Sequence, residues 1–96
     1  MPKGYIVARV DVTDWEHYAR YARLATIAIA RYGGRVLVRG GKQRLLEGSA
    51  RARNVVIEFD SLDQAIRYYN SSEYEEARRA REGTAVADFV AVEGGE

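Results

Sequence analysis

Two residue types in this chain have the chemistry to do work: arginines set among glycines and apolar strand residues, and seven tyrosines. Arg39 closes an apolar run and precedes Gly40-Gly41. A guanidinium placed there can hold a carboxylate through paired N–H bonds while the glycines let the backbone come close. The plainer reading of Arg39 is an ion pair with Glu58 or Asp88 at a strand end; Arg9 can pair with Glu58 in the same way. His17 is the single histidine. Its ordinary titration range makes it the candidate general acid or base. It also falls in the first turn of a helix, where an exposed polar residue needs no explanation. Tyr5, Tyr21 and Tyr69 offer the makings of an aromatic cleft. Aromatic residues at helical spacing are more often core, as Tyr18 is expected to be, and a buried phenol needs a partner for its hydroxyl. The candidate catalytic residues are thus His17 and Arg39. The candidate ligand-binding residues are Tyr5, Arg9, Tyr21, Arg39, Glu58 and Tyr69.

Other chemistries find no footing. One histidine and no cysteine cannot make a metal site of recognisable spacing, and no metal or cofactor is expected. The glycine pairs show neither GxGxxG nor GxxxxGK, so they read as caps and turns rather than a phosphate loop. Ser49, Ser61, Ser71 and Ser72 lack a nucleophile-elbow context, and capping accounts for three of them.

The elements that must position these residues follow from periodicity. Tyr5 to Val12 alternates as a strand, with Ile6, Ala8, Val10 and Val12 on one face and Tyr5, Val7, Arg9 and Asp11 on the other. Thr13-Asp14-Trp15-Glu16 reads as a capping box, opening a helix whose buried stripe is Trp15, Tyr18, Ala22, Ala25 and Ile29. Gly33-Gly34 ends it. Arg35 to Arg39 is a second strand, Gly40-Gly41 a turn, and Arg44 to Glu47 a short hairpin return. Gly48 to Ala52 is a loop, and Arg53 to Phe59 is the next strand. Ser61-Leu62-Asp63-Gln64 is a second capping box, for a helix that buries Leu62, Ala65, Ile66 and Tyr69. Asn70-Ser71-Ser72 interrupts it, and Ser72 with Glu75 offers a third box that restarts it. Gly83 is the expected cap, Val86 to Val92 the last strand, and Gly94-Gly95-Glu96 a frayed tail.

A chain of 96 residues is expected to be one domain, residues 1–96, with a thin core. Without disulfides or thiolate metal sites, oligomerisation is the remaining common support. Fifteen basic against fourteen acidic residues leave a net charge of +1, without the basic stripe of a nucleic-acid binder. No nucleic-acid partner is expected. No leader and no apolar stretch of spanning length is visible, so no membrane association is expected and the cytoplasm is the expected location.

Strand, helix, strand, strand, broken helix, strand is the split βαβ order of a ferredoxin-like α+β fold, with a four-stranded antiparallel sheet and helices on one face. Right-handed crossovers put both helices on the same side. The other sheet face, carrying Tyr5, Val7, Arg9, Val56 and Glu58, is then bare. It is too apolar to be fully wet, and a second copy packed face to face would cover it.

The residues Tyr32-Gly33-Gly34-Arg35, Val38-Arg39-Gly40-Gly41, Glu47-Gly48, Val56-Ile57-Glu58-Phe59, Tyr69 and Ser71-Ser72-Glu73-Tyr74 resemble the domain-of-unknown-function family thirteen-thirty. The resemblance runs to Val90-Ala91-Val92-Glu93-Gly94. Trp15 and Ser72 depart from it, standing where relatives often carry proline. The resemblance implies membership of the dimeric α/β barrel superfamily and a homodimer formed through the open sheet face. It implies no reaction. Three functions fit: a homodimer binding a small anionic or aromatic metabolite, a cofactor-independent oxygenase- or isomerase-like enzyme using the same pocket, or a structural interaction module without a ligand.

Overall fold

The computed structural model describes residues 2–95. Glu96, the end of the expected tail, lies outside them, as does Met1. The elements are β1 (Gly4–Val12), α1 (Trp15–Arg31), β2 (Arg35–Arg39), β3 (Arg53–Phe59), α2 (Leu62–Tyr69), α3 (Ser72–Arg81) and β4 (Ala85–Glu93). The strands form a four-stranded sheet in the order β2-β3-β1-β4, and every neighbouring pair is antiparallel. The fold is α+β and ferredoxin-like, as the element order implies. Ile6, Ala8, Val10, Ile57 and Phe59 of the sheet are buried against Tyr18, Tyr21, Ala25, Ala28 and Ile29 of α1 and against Ala65, Tyr68, Tyr74 and Ala77 of α2 and α3.

The caps differ in detail from the boxes read in the sequence. Asp14, not Thr13, caps α1; its Oδ1 accepts from the His17 amide at 3.2 Å. The amides of Thr13 and Asp14 both donate to the Thr84 carbonyl, at 2.8 and 3.1 Å. That tie to the turn before β4 holds Thr13 outside the helix. Ser61 does cap α2, accepting from the Gln64 amide at 3.1 Å, but the Gln64 side chain donates across to the Tyr32 carbonyl at 3.0 Å. Ser71, not Ser72, caps α3. Its hydroxyl accepts from the Tyr74 amide at 3.0 Å and donates to the Tyr68 carbonyl at 2.7 Å, so one residue closes α2 and opens α3.

Three further expectations change. Arg44 to Glu47 has no strand partner; the segment is an irregular loop with Leu45 and Leu46 exposed, closed by the Gln43 amide donating to the Arg51 and Ala52 carbonyls. The buried face of α1 is rotated: Tyr21 and Ala28 are core and Trp15 is exposed, because α1 packs on α3 as well as on the sheet. In α2 the buried tyrosine is Tyr68, whose ring lies 5.0 Å from Phe59 and 4.9 Å from Tyr74, while Tyr69 is half-buried and Ile66 exposed. The tail is not frayed at its start, since the Gly94 amide donates to the Lys3 carbonyl at 2.8 Å.

The register carries one irregularity with consequences. Val36 pairs with Ile57, but Val38 pairs with Val56 and Arg39 with Val55, so Leu37 is an extra residue in β2. Strand side chains alternate, and one extra residue exchanges the faces beyond it. Val38 therefore joins the open face, and Arg39 turns with Val55 toward the helices.

Candidate functional site

Beneath α1, between the helix and the inner sheet face, is a cleft of about 40 Å³. Tyr18, Tyr21 and Thr26 of α1, Arg39 of β2, Arg53 of β3 and Tyr68 of α2 supply its polar groups. Ala8, Val10, Val55, Ile57 and Phe89 supply much of the apolar wall, and among the described residues no carboxylate lines it. A buried water needs roughly 10–15 Å³ on this measure, whereas a dry cavity that accepts benzene is about 150 Å³. The cleft thus has room for a carboxylate-sized group but not for a whole ring.

The charged groups of the cleft, Arg39 and Arg53, can only donate. The Tyr21 and Tyr74 hydroxyls lie 2.9 Å apart. Burial, and then the neighbouring phenol of Tyr74, pushes Tyr21 well above its ordinary range; burial does the same to Tyr68. Both phenols stay protonated at neutral pH. Arg39 Nη1 makes a long contact, 3.5 Å, with the Thr26 hydroxyl. Arg53 Nε is buried and has no hydrogen-bond partner. Such orphans are uncommon and call for an explanation. Arg81 Nη1 is the other, and its guanidinium sits over the rings of Phe89 at 4.5 Å and Tyr21 at 5.2 Å. Two cations border the cleft and a third backs it.

The remaining candidates are dispersed. Glu58 lies on the open sheet face, where Arg35 Nε meets it at 2.9 Å and the Tyr5 hydroxyl donates to it at 2.9 Å. Those two partners, Tyr5 first, hold its carboxyl below the usual range. Arg35 therefore occupies the place on Glu58 considered for Arg39 and Arg9, because the β2 bulge turns Arg39 away and the register sets Arg9 beside Asn54 and Asp88. Arg9 borders a broad hollow on that face with Val7, Asp88 and Val90. That hollow is larger, at about 490 Å³, but it is open surface without an unpartnered donor of the kind Arg53 brings to the cleft. His17 is exposed, its Nδ1 2.7 Å from Asp14 Oδ2, and does not line the cleft. Tyr69 lies toward Phe89 and under Arg78, in a separate hollow with Ile66 and Ala91. Of the residues singled out in the sequence, the cleft brings together Tyr21 and Arg39.

Sequence reasoning passed over Arg53, Tyr68 and Arg81. Arg53 had a signal: it shares the alternation of Val55, Ile57 and Phe59, a charge on the buried face of a strand. Arg81 stood among the cations of a last helical turn and had none.

The fold and the cleft place the protein among ferredoxin-like α+β domains with a hollow between sheet and helices. Residues 3–95 match the family described as Domain of unknown function (DUF1330), and the chain belongs to that family. Among solved structures it is similar to the RPA0582 protein of unknown function from Rhodopseudomonas palustris, at 17% identity and a TM-score of 0.79, with 99% of this chain and 84% of that one covered. A dimeric protein of unknown function and ferredoxin-like fold from Bacteroides fragilis aligns at 16% identity and a TM-score of 0.57, over 95% of each chain. SnoaB, a cofactor-independent oxygenase from Streptomyces nogalater, aligns at 12% identity and a TM-score of 0.57, over 100% of this chain and 96% of that one. At these identities the likeness is one of fold. No curated protein sequence matches the chain. Among the described residues no helix is long and apolar enough to cross a membrane.

Proposed function

We propose that the protein is a cytoplasmic homodimer that binds a small anionic metabolite in the cleft beneath α1. The observation that carries this is the cleft's charge: among the described residues Arg39 and Arg53 line it, no carboxylate does, and Arg53 Nε is buried without a partner. A bound carboxylate supplies that partner. The volume favours a compact acid, with any unsaturated body lying outside the enclosed volume.

The homodimer uses the open sheet face. The register aligns Val38, Val56, Val7 and Val90 in one row across all four strands. Mostly charged and polar rows flank it: Arg35, Glu58 and Tyr5, ending at Val92, on one side, and Asn54, Arg9 and Asp88 on the other. An apolar stripe with a polar rim is the anatomy of an interface, expected here to bury about 1,500 Å² in total. The dimeric protein of similar fold supports this assignment.

The reading as a cofactor-independent enzyme rests on the fold of SnoaB alone, and the cleft offers it protonated phenols and cations rather than a base.

Thermal melts test the binding. A ligand at about ten times its Kd adds about 1.4 kcal/mol. The dimer carries two such sites, and for a folding unit of that size the pair raises Tm by about 6–11 °C. Acetate and benzoate are expected to do so and neutral benzamide is not. Arg39→Met is expected to lose most of the shift. No shift with either acid, on a protein that melts cooperatively, would refute the proposal and favour the structural module.

A further inference from the structure

We propose that Arg53 is the principal carboxylate anchor of the cleft, parked on Trp15 until a ligand takes its guanidinium. The proposal rests on the reading of the cleft as an anion site and names the residue that reads the charge. Arg53 begins β3 opposite Val10 of β1, in the register that carries Val55, Ile57 and Phe59 inward. It is the one charged residue of that inner row, and strands seldom spend a core-facing position on a charge without a partner for it. It lies over Trp15, with its guanidinium carbon 5.8 Å from the ring centre. That distance is near the outer limit for a cation–π contact, and Trp15 is 58% exposed, which weakens it further. Nε, the inner corner of the planar fork, is the buried orphan.

The backbone makes room for this arginine. Gly40 has φ +64°, and a Cβ there would strike Arg53 Nη1. The glycine therefore has a second role besides turning the chain: it leaves the guanidinium its seat at the edge of the cleft. Arg39, brought to the inner face by the bulge at Leu37, lines the same cleft. Two guanidinium groups at one mouth, with protonated phenols behind them, suit a monocarboxylate held bidentately by one and steadied by the other.

Trp15 is the chain's only tryptophan, so its emission reports this site directly. Acetate and benzoate, titrated at constant ionic strength, are expected to change Trp15 emission and raise Tm together; chloride and benzamide do neither. Arg53→Met is expected to weaken acetate binding by about 30-fold or more, the lower end of the range for losing one partner of a buried charge contact, and to abolish the emission change. Gly40→Ala keeps every donor but displaces the guanidinium, and is expected to weaken binding as well. Should Arg53→Met fail to fold by circular dichroism, Arg53→Lys decides: a point charge replacing the fork is expected to cost about tenfold. Arg79→Met, an exposed site paired with Glu75, removes the same charge far from the cleft and is expected to change nothing. If the unmodified protein binds acetate and the Arg53 variants bind it within twofold, Arg53 is no anchor while the cleft remains an anion site. If the unmodified protein binds neither acid, both readings fall.

Discussion

Val90→Glu separates folding from assembly. Val90 stands in the row Val38, Val56, Val7, Val90, on the face that no helix of its own chain covers, and is 55% exposed. In the isolated chain a glutamate there keeps its charge in water, so the effect on folding should stay within about 0.5 kcal/mol. In a two-fold dimer the same substitution acts twice. Fully burying a valine is worth about 1.5–3 kcal/mol, so the exposed half of Val90 contributes about 1 kcal/mol per copy and about 2 kcal/mol per dimer. Two carboxylates forced against an apolar row add a desolvation cost of at least about 1 kcal/mol each. The sum, about 4 kcal/mol, raises the dimer Kd about a thousandfold. Sedimentation velocity from sub-micromolar to hundred-micromolar protein reads this directly, with circular dichroism confirming the fold. Val90→Thr, isosteric but polar, should fall between. The reasoning is refuted if the unmodified chain sediments as a monomer throughout, or if Val90→Glu dimerises with a Kd within tenfold of the original.

The phenol pair and the carboxylates give two more tests. Tyr74→Phe leaves the buried Tyr21 hydroxyl without its 2.9 Å partner and should cost about 1–2 kcal/mol in chemical denaturation, whereas Tyr21→Phe with Tyr74→Phe should cost less than the two singles added; additive costs would mean the hydroxyls do not interact. Asp11, Asp88 and Glu58 all lie on the open face with depressed carboxyl pKa values. The causes are the Ala52 amide and then Arg51 for Asp11, Arg51 for Asp88, and Tyr5 and then Arg35 for Glu58. A depressed folded-state pKa contributes stability that is present above the unfolded values, 3.8 for Asp and 4.5 for Glu, and is lost as pH falls through the folded values. Melting temperature should therefore be flat from pH 7 to about 5 and fall below about pH 4.5, and Arg51→Met should flatten that fall; an unchanged acid profile in the variant would remove Arg51 as its source.

Much of the fold was legible because it rests on local chemistry. Alternation from Tyr5 to Val12 set which residues of β1 face inward, and the element order with right-handed crossovers set the topology. Even the bare face, with Val7 and Val56 on it, follows from residue period two. Ser61 was read as the cap it is, but the other two caps were legible only to within one residue: Asp14 and Ser71 displaced Thr13 and Ser72. Adjacent capping residues have similar intrinsic preferences, and a distant tie, the Thr84 carbonyl holding both Thr13 and Asp14, broke the degeneracy in the first case.

The site was less legible, because it depends on which faces meet. An uninterrupted strand from Arg35 to Arg39 would put both arginines on one face, competing for Glu58. The extra residue at Leu37 sends them to opposite faces, Arg35 to Glu58 and Arg39 to the cleft, and a bulge leaves no mark in a five-residue pattern of valine, leucine and arginine. Arg53 could have been found, since alternation alone places its charge inward. That it has no acid to meet there is a property of the whole packing. The sequence by itself determined the sheet, its two faces and which of them the helices leave bare, because these follow from side-chain period and chirality. Only the tertiary structure decided that the unpaired charge lies beneath α1, because the pairing of a charge depends on every element that reaches it.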